Sequence, residues 1–144
     1  MTPFTKKVTS DEVKKRLLDV WPHMRTTVRL YDLYYTYPTY EEVKDAMAQC
    51  PRYKKIPYMD YISDCDKKSL WLNADIKEFC AIKTKLSYTW TFGIISGFVW
   101  NGVTRNHTGN IFLTKNEIFI VDSSDFSNTW PANPKKDFMI EVRL

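Results

Sequence analysis

The sequence predicts an α+β domain in which N-terminal helices pack on a C-terminal antiparallel sheet. Two observations carry this. Helical patterns fill the first part of the chain, and after residue 86 the sequence turns to short Ile-, Phe-, Val- and Trp-rich segments separated by turn residues. Helices first and strands second is the α+β order. With 144 residues, the chain has the usual size of one domain, so 1–144 is expected to fold as a single unit.

The first helix is expected over about 10–21. Thr9-Ser10-Asp11-Glu12 has the spacing of a capping box, Val13, Leu17, Val20 and Trp21 follow at helical intervals, and Pro22 stops the run. Residues 26–36 are rich in Thr, Val, Leu and Tyr and suit a short strand or extended segment. A second box, Thr39 to Glu42, opens a helix over about 40–49 with Val43, Met47 and Cys50 on its apolar stripe. Residues 51–62, with Pro51, Pro57 and three Tyr, read as a loop.

Ser63 or Asp64 then caps a third helix running to about residue 80. Its stripe of Leu72, Ile76, Phe79 and Cys80 extends backwards through Ser69 to Cys65 in the first turn. Strands are expected over 90–100, 107–114, 117–122 and 137–143, with a long loop over 123–136.

Composition narrows the function classes. Hydrophobic residues at 44% and charged residues at 26% belong to an ordinary globular chain. The net charge of +4 is mild, and its basic residues come in scattered pairs, which does not favour a nucleic-acid partner. Tyr53, Lys54, Lys55, Tyr58 and Tyr61 are the nearest approach to an interleaved basic–aromatic stretch. An odd count of three Cys argues against a disulfide framework. The first residues lack the apolar core of a signal peptide, and no apolar run approaches the ~18 residues of a membrane span. A cytoplasmic protein without a membrane partner is expected, its oligomeric state left open.

Three residues suggest chemistry. Cys65 sits at a helix N-terminus, which favours thiolate. Lys67 and Lys68 would assist, and Asp64 and Asp66 would oppose. His107 opens a strand, and Asp122 closes the run Ile118-Phe-Ile-Val121. A two-residue turn at Lys115-Asn116 sets Gly109 opposite Asp122 and makes His107 its diagonal neighbour, within about 7–8 Å at Cα. Nucleophile, base and orienting acid would then suit acyl transfer on amide or peptide bonds through a thioester. Asn110 is a further polar candidate, on the opposite face from His107. Cys50 and Cys80 read as packing residues.

Asp64-Cys65-Asp66 opening a helix, Phe92-Gly-Ile-Ile-Ser-Gly-Phe-Val-Trp100, His107-Thr-Gly-Asn110 and Ile118-Phe-Ile-Val-Asp122 occur in that order. This arrangement resembles the papain-like superfamily, and within it the cysteine-protease domain of the mushroom agglutinin type with its short phage and bacterial relatives. The resemblance covers roughly residues 25–144. It implies a papain-like thiol hydrolase with Cys65, His107 and Asp122 catalytic, Asn110 and Trp100 lining the binding site, a protein or peptide substrate, and a host cytoplasm if the chain is phage-encoded. Acids of this region hold calcium in the agglutinin-type enzymes, so the resemblance admits calcium, but Lys67 replaces one of those acids here and no cofactor is otherwise expected. The closing acid, usually Glu before Pro, is Asp122 before Ser123. No lectin domain accompanies the chain, so no carbohydrate site is carried over. The alternative is a weakly active or inactive scaffold serving as a binding protein, with the Tyr31–Tyr37 stretch and Trp130 as a partner surface or as sheet packing.

Overall fold

The computed structural model describes residues 7–50, 56–57, 59–60, 64–84, 87–125 and 128–144. The basic–aromatic set of Tyr53, Lys54, Lys55, Tyr58 and Tyr61, most of the 51–62 loop and the Ser63 cap lie outside them.

The elements are β1 (Lys7–Thr9), α1 (Ser10–Val20), a 3-10 turn (Pro22–Met24), β2 (Val28–Arg29), β3 (Tyr34–Thr36), α2 (Tyr40–Ala48) and α3 (Cys65–Phe79). Then come a π-helical turn (Cys80–Thr84), β4 (Phe92–Trp100), β5 (Val103–Leu113), β6 (Ile118–Val121), β7 (Thr129–Pro131) and β8 (Phe138–Arg143). The chain is α+β, with helices laid on a mainly antiparallel sheet of order β2-β8-β4-β5-β6-β7. β2 joins β8 in parallel, and β1 and β3 pair separately.

Both helix caps form at the expected threonines, but in different ways. Thr39 Oγ accepts from the Glu42 amide while the Glu42 carboxylate accepts from the Thr39 amide, a closed box. Thr9 accepts from the Glu12 amide, but the Glu12 carboxylate turns to the Tyr37 hydroxyl. Tertiary contact overrides the local motif there.

Strand alternation sends side chains to two cores. Ile95, Ile111 and Ile120 face Val13 and Leu17 of α1, with Trp21 and Trp130. Phe92, Phe112 and Val121 face Val43 and Met47 of α2 and Leu72 and Ile76 of α3. The sheet is thus covered by α1 on one face and by α2 and α3 on the other. Tyr35 and Trp130 are buried, so packing claims both, whereas Tyr31 and Leu33 remain exposed.

Two strand expectations change. β5 begins at Val103, four residues before the expected 107, because Asn101 and Gly102 adopt positive φ (49° and 85°) and close a tight hairpin. The extension Val103–Asn106 is exposed and carries no apolar alternation, so hydrophobic pattern alone misses it. β7 lies within the expected long loop. Its Trp130 sits across from Ile120, and Pro131 is tolerated because β7 is an edge strand.

Candidate functional site

The β5–β6 ladder aligns Asn110 with Val121, Ile111 with Ile120 and Leu113 with Ile118, which is the register of a two-residue turn at 115–116. One step further sets Gly109 beside Asp122. A Cβ at Gly109 would come within 2.5 Å of the Val121 carbonyl oxygen and 3.0 Å of the Trp100 ring. Glycine is therefore required where the imidazole leans across.

His107 Nε2 lies 3.1 Å from Asp122 Oδ1, as expected from the sequence. The same carboxylate accepts from Arg105 at 2.9 Å and from the Ser124 amide at 2.9 Å. Ser123 Oγ lies 3.4 Å from His107 Nε2 and donates to the Thr108 carbonyl. The Trp100 indole meets the His107 ring edge-on, with centroids 4.8 Å apart. Burial alone would raise the Asp122 pKa, but the hydrogen bonds from His107, the Ser124 amide and Arg105 outweigh it and hold the carboxyl well below the usual range. Asp122, His107 and Ser123 are all buried. Arg105 remains 41% exposed at its side chain. Sequence reading missed Arg105, although its position two residues before His107 on one strand already set both on one face.

Cys65 arrives from α3, in the first turn after the Asp64 cap. Its sulfur lies 3.7 Å from Asp66 Oδ1, toward which it donates. No hydrogen bond joins it to His107 among the described residues. Burial pushes its thiol above the usual range, the Thr108 amide pulls it down, and the charges of Asp66 and Asp64 push it further up. The lysines expected to help are directed elsewhere. Lys67 Nζ pairs with Asp64 at 3.2 Å, and Lys68 Nζ donates to the Ile56 carbonyl. Cys50 and Cys80 are buried among apolar side chains.

Asn110 faces away from His107, as alternation requires. It donates to the Ser69 carbonyl of α3 at 2.9 Å and to the Gly93 carbonyl at 3.1 Å. Trp100 is buried and donates its indole N–H to the Gly97 carbonyl. Both candidate binding residues are thus bound into the interior. The Lys67 ammonium lies against Asp64, and no cluster of three or more His, Cys, Asp or Glu suited to a metal occurs among the described residues. No helix among them is long and apolar enough to cross a membrane.

No family model matches the sequence, and no curated protein does. Solved structures do. One, described as a PSL1a–E64 complex, superposes with a TM-score of 0.76 at 15% identity and covers 96% of this chain and 50% of its own. Another, Polyporus squamosus lectin bound to the human-type influenza-binding epitope Neu5Acα2-6Galβ1-4GlcNAc, gives 0.76 and 15% over 96% of this chain and 49% of its own. The chain therefore shares its fold with a mushroom agglutinin and spans about half of that chain's length.

These findings correct the sequence-based expectation of a papain-like thiol hydrolase acting on a protein or peptide substrate. One of the structures sharing the fold is of a lectin bound to a sugar epitope. Within the chain, thiol chemistry needs a thiolate, and burial with the flanking acids pushes the Cys65 thiol up, while no hydrogen bond joins its sulfur to His107 among the described residues.

Proposed function

We propose that the chain is a ligand-binding protein, with a recognition site at the exposed rim of the Arg105–Asp122–His107 cluster. What supports this is the fold held in common, over 96% of the chain, with a lectin caught bound to a sugar epitope. Arg105 supplies the local chemistry. One of its nitrogens is pinned to Asp122, so the guanidinium is oriented while much of its surface still faces solvent. An oriented donor loses less freedom on binding than a free one. An oriented cationic donor suits a polar ligand rich in acceptor oxygens. The sugar epitope serves as the first probe, since this chain corresponds to half of the lectin.

The test is calorimetric titration of the folded chain with Neu5Acα2-6Galβ1-4GlcNAc and simpler saccharides. Saturable binding is expected, weakened at least tenfold by Arg105→Ala with the melting temperature retained. Lack of binding up to about millimolar saccharide, together with peptide turnover abolished by Cys65→Ala, would overturn the reading.

A further inference from the structure

We propose that the end of the sheet carrying the Asn101-Gly102 hairpin docks on an anionic lipid surface. Three large apolar side chains stand exposed there on three strands: Phe98 of β4 (43%), Val103 of β5 (59%) and Phe138 of β8 (46%). The register places all three at one end of the sheet, where Val99 aligns with Phe138 and with Thr104, and Trp100 with Val103. The His23 ring stacks on Phe138, with centroids 4.8 Å apart. Exposed apolar groups clustered at one place mark a contact surface.

The surrounding charge is basic. Lys135 and Lys136 form the adjacent turn, and Arg25 follows His23 by two residues; all three are exposed. The carboxylate of this turn points inward. Asp137 is buried and accepts from the Asn101 amide at 2.7 Å, the Trp130 indole at 3.1 Å and the Asn133 amide at 2.8 Å. These bonds, with that of the Gly102 amide to the Lys136 carbonyl, fix the hairpin to the lysine turn. Apolar tip and cationic rim therefore form one rigid unit.

A lipid surface fits better than a protein segment. Two cavities lie elsewhere, one beside Arg16 and Ile118 and one beside Cys50 and Phe79. Short apolar side chains dipping below headgroups, with lysines at phosphate level, need no shape complementarity. Such docking is peripheral and requires no spanning helix.

The test is sedimentation of the full chain with vesicles of phosphatidylcholine alone and with about one-third phosphatidylserine. Binding to the anionic vesicles only is expected. Lys135→Glu/Lys136→Glu and Phe98→Ser/Val103→Ser should each reduce it at least tenfold, with unchanged circular dichroism. Equal partition into neutral vesicles, full binding by the Phe98→Ser/Val103→Ser variant, or binding to soluble polyglutamate but not to vesicles would each overturn the proposal.

Discussion

His107 Nε2 and Asp122 Oδ1 lie 3.1 Å apart across the end of the β5–β6 ladder, and the other oxygen of that carboxylate holds Arg105. Asp122 is thus a buried anion shared by three donors. Removing it leaves His107 and Arg105 without their acceptor. Asp122→Ala should cost about 3 kcal/mol in urea denaturation, the usual cost of breaking a buried pair. The pH dependence has a fixed sign. Folding lowers the Asp122 pKa, so the group stabilises the fold above the ordinary carboxylate range near pH ~4, and this is lost as pH falls below it. The gap between wild type and Asp122→Asn should therefore narrow on acidification. A constant gap from pH 7 downward would refute the shared-anion account.

The Cys65 thiol is raised by burial and by the two flanking acids. Iodoacetamide should label it slowly at neutral pH, with the rate climbing only beyond the ordinary thiol range. Asp66→Asn should shift that profile toward lower pH. Rapid labelling of folded protein below pH 7, mapped by mass spectrometry, would contradict this environment.

Asn110 ties β5 to α3 through the Ser69 carbonyl. Asn110→Ala removes two buried hydrogen bonds and should destabilise the chain by about 2 kcal/mol. Hydrogen exchange should rise first in the opening turns of α3. Exchange spread evenly over the sheet would show that the strut is not local.

The two threonine caps are unequal. Thr39→Ala should cost about 1 kcal/mol, and Glu42→Ala should weaken the same helix end, because the box closes in both directions. Glu12→Ala should leave the Thr9 cap intact and release only the Tyr37 hydroxyl. Thermal melts of the three variants would order them.

The sequence by itself determined the α+β layout, both caps, the start of α3 and the register that sets His107 against Asp122. Each depends on interactions a few residues apart or on strict alternation, so local spacing suffices. The Asn101-Gly102 turn was also legible, and it would have placed the start of β5 and Arg105. Tertiary structure alone decided the rest. Whether Lys67 and Lys68 assist Cys65 depends on where long flexible side chains find acceptors, and they find Asp64 and the Ile56 carbonyl. The state of the thiol follows from burial and summed charges, neither of which is encoded in any one segment. Asn110 and Trp100 resemble site residues in one dimension. In three, their N–H groups donate to interior carbonyls, because a buried donor without a partner is costly.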